Sequence, residues 1–163
     1  MARLVLGRTA RRVQGTRGGP LSVVRTIDVA VDPATAFSVF TDEIDAWYER
    51  GPYSWNDPAR AVAIRFEGGR LLEVYEEGEP YEMGRVTAWE PGVRVAFAYR
   101  NVHLELDDTE VEVRFEPIAG GTRVTLEHRG LERLPPDEYA TWERRAWIRL
   151  MQVYADFLRG ETS

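Results

Sequence analysis

The sequence predicts an α+β fold: one antiparallel sheet of seven strands with helices covering its apolar face. Two observations carry that reading. Six alternating, β-branched stretches fall into three pairs, each joined by a glycine-bearing turn, as hairpins require. The chain then closes on one long stretch, PPDEYATWERRAWIRLMQVYADFLRG, whose apolar residues recur with a helical period.

Each element has its own justification. SVVRTIDVAV (22–31) alternates and makes the first strand. In DPATAFSVFTDEIDAW, Asp32 is placed to cap a helix and Pro33 suits its first turn, while Phe37, Phe40, Ile44 and Trp47 share one stripe. The hairpins are RAVAIRFE and RLLEVYEE around GG, YEMGRVTAWE and VRVAFAYR around PG, and EVEVRFEP and TRVTLEHRG around IAGG. NVHLELDDT, between the last two hairpins, reads as a loop or strand edge. The terminal helix begins near Pro136 and stops at Gly160. Tyr139, Trp142, Ala146, Leu150, Val153 and Phe157 form one row on it, and Trp147, Met151, Tyr154 and Leu158 the next. So broad and aromatic a face can either seal a core or line a cavity.

The third hairpin permits a register. With IAGG as a four-residue loop, Phe115 faces Val124, Val113 faces Leu126 and Val111 faces His128 on the apolar side. On the wet side Glu116 faces Arg123 and Glu110 faces Arg129, while Glu112 meets Glu127, a cost that diagonal arginines soften. His128 thus looks inward, and it is the one ionisable residue that this reading places on an apolar face.

Composition narrows the function. A chain of 163 residues, 44% hydrophobic and 29% charged, suits one globular domain. No apolar run approaches the length of about 18 residues that a membrane span needs, so no membrane partner is expected. There is no cysteine, hence no disulfide, thiol nucleophile or thiolate metal site, which fits a cytoplasmic protein. All 21 basic residues are arginine, which excludes Schiff-base chemistry on a lysine. Residues 1–20 carry five arginines and no acid; the remainder sets 16 arginines against 27 acids, a net of −11. A body this acidic repels nucleic-acid phosphates. The Arg/Gly-rich stretch 1–20 reads as a flexible arm, or as the product of an upstream start codon. Residues 21–160 read as the domain and 161–163 as a tail.

TDEIDAWYERGP, FEGGRLLEVYEEG, GRVTAWEPGVRVAF and TEVEVRFEPIAGGTRVTLEHRG, in this order, resemble the START-like SRPBCC superfamily. Within it they are similar to the bacterial branch named for heat-shock-protein-90 ATPase activator homologues. The likeness spans residues 22–159. It implies the helix-grip fold, a curved sheet wrapped around the long C-terminal helix with a cavity between them. Relatives use that cavity for lipids, sterols, polyketides and other hydrophobic molecules, and some are cyclases. No catalytic motif runs through the branch.

The residues agree in offering little catalytic machinery. GxSxG, HExxH, Walker and GxGxxG motifs are missing, and with two histidines, His103 and His128, neither a metal nor a cofactor is expected. Two readings stand for His128: a core histidine satisfied by a neighbouring hydroxyl or carbonyl, or a neutral imidazole that orients a ligand or acts as acid/base. In TDEIDAWYERGPYSW (41–55), Trp47 completes the helix stripe, whereas Tyr48, Tyr53 and Trp55 lie at or beyond a Gly-Pro break and suit a cavity lip or ordinary packing. Tyr75, Phe97, Tyr99, Val113, Phe115, Leu126 and His128 from the sheet, and Trp142, Ala146 and Leu150 from the helix, complete the candidate lining. Arg85 belongs to it only if it meets a ligand acid or an internal carboxylate. The expectation is a carrier or sequestering protein for a small hydrophobic molecule, without assigned catalysis. The alternatives are a cyclase- or hydrolase-like enzyme using His128, and a co-chaperone-like module with a protein partner. A homodimer is compatible with all three.

Overall fold

The computed structural model describes residues 3–5, 22–49, 55–100 and 109–160. Its strands are β1 (Arg3–Val5), β2 (Ser22–Val29), β3 (Ala61–Glu67), β4 (Arg70–Tyr75), β5 (Tyr81–Glu90), β6 (Arg94–Tyr99), β7 (Thr109–Ile118) and β8 (Gly121–Arg129). Helices α1 (Pro33–Thr41) and α2 (Ile44–Trp47) follow β2, and a 3-10 turn (Leu131–Arg133), α3 (Pro136–Arg145) and α4 (Ile148–Leu158) follow β8. All pairings are antiparallel, in the order β1-β2-β8-β7-β6-β5-β4-β3. This is the α+β helix-grip arrangement expected from the sequence. The seven strands read there are joined by β1, which pairs Arg3 with Asp28 inside the stretch read as an arm. The other residues of 1–21, together with 50–54, 101–108 and 161–163, lie outside the described residues.

Turn chemistry explains the hairpins. Gly68 and Gly69 have φ of 61° and 76°, two successive left-handed residues that a tight two-residue connection demands. In β7–β8 every pair read from the sequence forms, but the loop is shorter than expected: Ile118 pairs with Gly121, so only Ala119 and Gly120 turn. Gly121 is required for a different reason. A Cβ there would sit 1.9 Å from the Val29 carbonyl oxygen. On the wet face, the Glu112–Glu127 pair is relieved as the alternation implies. Arg114 Nη1 lies 3.0 Å from Glu112 and 3.4 Å from Glu127, and Arg129 Nη1 lies 3.2 Å and 3.0 Å from the same two.

The helices seal the opposite face. The Thr35 N–H donates to Asp32 Oδ1 at 2.7 Å, capping α1. Phe37, Phe40, Ile44 and Trp47 are all buried, although the chain bends between α1 and α2. The Tyr154 hydroxyl donates to the Ala36 carbonyl at 2.6 Å and pins α4 to α1.

The terminal helix departs from its expected continuity. It breaks at Ala146 (ψ 136°) and Trp147 (φ 68°, ψ −12°). Trp147 is the one non-glycine with positive φ among the described residues, a conformation that costs about 1–2 kcal/mol. Arg25 holds the break from below. Its Nε donates to the Ala146 carbonyl at 3.0 Å and its Nη2 to that of Glu143, satisfying two of the carbonyls at the end of α3. No helix among the described residues is long and apolar enough to cross a membrane.

Candidate functional site

Where α4, the α1–α2 corner and the sheet meet, an apolar cavity of about 10 Å³ remains. Phe40, Ile44, Trp47 and Tyr48 close one side; Leu71, Phe97, Tyr99 and Leu126 rise from the sheet; Trp147, Leu150 and Met151 descend from the terminal helix. The space matches about one water, but its wall offers no polar partner, and such voids stay dry. Of the lining residues only Trp147 and Leu150 are half-buried; the rest are buried.

The position of these side chains follows from local structure. Strand alternation aims Phe97, Tyr99, Leu126 and His128 at the helices. The end of α2 delivers Trp47 and Tyr48. Trp47 donates its indole N–H to the Val39 carbonyl at 2.9 Å, which fixes the ring. The Tyr48 hydroxyl meets that of Tyr99. Burial first, and Tyr99 second, push the Tyr48 phenol well above its ordinary pKa, so it stays protonated.

Behind the apolar wall runs one polar line. His128 is fully buried, with Nε2 2.9 Å from Thr109 Oγ1 and Nδ1 3.1 Å from Trp147 Nε1. An indole nitrogen can only donate, so Nδ1 carries the lone pair and Nε2 the proton. Thr109 passes its own proton to the Tyr99 carbonyl at 2.9 Å, leaving its oxygen free to accept from Nε2. Desolvation lowers the imidazole pKa from 6.5 to about 3, which keeps the ring neutral. The Tyr99, Trp142 and Trp147 rings stand 5.5, 5.9 and 5.9 Å from the imidazole.

The remaining candidates are placed as follows. Tyr48, Phe97, Tyr99, Leu126 and Leu150 line the cavity. Val113 and Phe115 are buried in the sheet's inward rows without reaching it. Trp142 packs on His128, and Ala146 sits at the helix break. Trp55 is buried against Tyr48 at 5.8 Å, its N–H on the Glu49 carbonyl, so it backs the wall. Tyr75 turns its hydroxyl to Glu73. Arg85 is exposed beside Glu82, on the wet side. Tyr53 and His103 lie outside the described residues.

Two buried charged residues escaped the sequence reading. Arg25 and Glu73 are, like His128, ionisable and buried on the inward side, which corrects the view that His128 is alone there. Alternation carried the signal: Arg25 lies between Val23 and Ile27, and Glu73 between Leu71 and Tyr75. Glu73 accepts the backbone N–H groups of Asn56 and Asp57 at 2.6 and 2.7 Å and the Tyr75 hydroxyl at 2.8 Å. It thereby anchors the chain that follows Trp55. No cluster of three metal-ligating side chains occurs among the described residues.

Comparison with known proteins gives a consistent result. The family model described as Activator of Hsp90 ATPase homolog 1-like protein matches residues 30–153. No curated protein matches the sequence. Among solved structures, an AHSA1-like protein from Rhizobium etli aligns at TM-score 0.60 and 21% identity, over 88% of this chain and 84% of its own. CalU16 from Micromonospora echinospora aligns at 0.59 and 18%, over 99% and 86%. The Aha1 dimer from Colwellia psychrerythraea aligns at 0.57 and 16%, over 84% and 95%. At these identities the likeness speaks for the fold.

Proposed function

The chain belongs to the family of Activator of Hsp90 ATPase homolog 1-like proteins, and within it we propose that this member binds or sequesters a small hydrophobic molecule between sheet and terminal helix. The observation that carries the proposal is the wholly apolar cavity, roofed by a half-buried Trp147 held in a strained conformation. At about 10 Å³ the space excludes any organic ligand as it stands, so binding entails an opening at the α3–α4 corner. Both nitrogens of His128 are engaged and the ring is neutral, which favours carriage over acid/base catalysis.

Trp47 and Trp147 border the cavity, so intrinsic fluorescence reports entry. A panel of apolar and aromatic compounds is expected to yield members that change the emission and raise the melting temperature. If the whole panel leaves both unchanged, and native mass spectrometry finds the purified protein empty, the proposal is wrong. The co-chaperone-like reading draws on the acidic body outside residues 1–20, net −11. It requires a basic protein partner whose binding weakens with salt.

A further inference from the structure

Trp147 behaves as a ligand would. Its indole fills the roof of the cavity, meets Tyr99 at a tilt and His128 edge to face, and spends its single polar atom on the buried His128 Nδ1 at 3.1 Å. The backbone cost at φ 68° shows that this seat is not taken by local preference. Arg25, on β2, holds the Glu143 and Ala146 carbonyls at the break, so the backbone there is anchored independently of the Trp147 indole, whose one hydrogen bond is to His128.

We infer that the molecule carried is a planar aromatic bearing one hydrogen-bond donor, of the indole or phenol class, which takes the place of the Trp147 ring and donates to His128 Nδ1. The inference rests on the apolar-cavity reading and adds the polar requirement. The acceptor is dictated by chemistry: Nε2 donates to Thr109, whose own proton goes to the Tyr99 carbonyl, so the donors run one way toward that carbonyl and the Nδ1 lone pair at their head must accept. A ring without a donor leaves that lone pair buried and unsatisfied. Such a group costs enough to weaken binding at least about fivefold. Removing the indole opens a space on the order of 100 Å³, the scale of apolar cavities that accept a single aromatic ring.

The test is Trp147→Ala titrated with indole and with benzofuran, which has the same shape and no donor, by calorimetry and by melting temperature. Both are expected to bind, indole at least about fivefold more tightly. Equal affinities overturn the donor requirement and leave the apolar-cavity reading standing. Binding of neither overturns this inference, and the apolar-cavity reading falls with it only if the compound panel on the native chain fails too. Should the variant fail to fold, the ¹⁵N-labelled native chain decides. Unlabelled indole should shift the Trp147 Nε1–H resonance, assigned by its loss in Trp147→Phe, and should do so at a lower concentration than benzofuran. A resonance unmoved at the solubility limit of indole overturns the proposal.

Discussion

Lowering the pH from 7 to 5 should cost this protein about 2 kcal/mol of stability through His128 alone. The ring is fully buried, and desolvation holds its pKa near 3 in the fold against an ordinary 6.5. Between those two values the unfolded chain binds a proton that the native chain refuses. The contribution is therefore complete above pH 6.5 and is lost as the pH falls, at up to about 1.4 kcal/mol per pH unit, until the native ring itself protonates near 3. Integrated from 7 to 5 this gives the stated 2 kcal/mol. Protonation also abolishes the Nδ1 acceptor and sets two N–H groups against Trp147, so no alternative pairing rescues the ring. The comparison is with His128→Gln, which keeps a donor and an acceptor and does not titrate. Urea midpoints at pH 7, 6 and 5 should show the native advantage over the variant shrinking by about 2 kcal/mol across the series. Other titrating groups are shared by both chains and cancel. Stabilities that run parallel with pH would refute the buried, neutral histidine and the hydrogen-bond direction derived from it.

Two further outcomes follow from the other buried ionisable groups. Glu73→Gln turns an amide donor toward the Asn56 or Asp57 N–H, or toward Tyr75, and should lower unfolding free energy by about 2–3 kcal/mol. A change below about 0.5 kcal/mol in urea titration would show that the carboxylate is dispensable. Arg25→Met keeps the apolar stem and removes the donors to Glu143 and Ala146, with an expected loss of about 3 kcal/mol and altered near-ultraviolet dichroism from the Trp147 environment. Unchanged dichroism would detach the helix break from Arg25.

What the sequence showed and what it hid divide along the range of the forces involved. Hairpins are set by neighbours: Gly68-Gly69 forces its turn, and the β7–β8 register follows from which of Val111, Val113 and Phe115 must face the helices. His128 was legible as inward for the same reason. Arg25 and Glu73 carry the same parity, but a charged residue alternating with apolar ones gives no local sign of the buried partner that would let it face inward. Their partners, Ala146 and Asn56, are 121 and 17 residues away, and no local pattern announces them. The cavity lining was half visible. Phe40, Ile44 and Trp47 read as core stripe, and whether a core residue borders a void depends on packing that no periodicity encodes.

The helix break is the sharpest instance, because local preference points the other way. Between Pro136 and Gly160 there is neither glycine nor proline, and Ala146 is the best helix former available. What interrupts the helix lies on two distant strands: Arg25 on β2 holds the Glu143 and Ala146 carbonyls, and His128 on β8 receives the indole of the residue forced into the left-handed region. Continuing the helix through Trp147 would recover about 1–2 kcal/mol of backbone strain but leave the buried His128 Nδ1 and the Arg25 guanidinium short of partners, at about 1–3 kcal/mol each. The balance favours the break only inside the fold. A peptide of residues 135–160, in a helix-promoting alcohol, has neither partner and should show uninterrupted helical contacts across Ala146 and Trp147 by NMR. A break retained in the peptide would place its cause in the segment itself, and the strain at Trp147 would then cease to be a sign of the site it occupies.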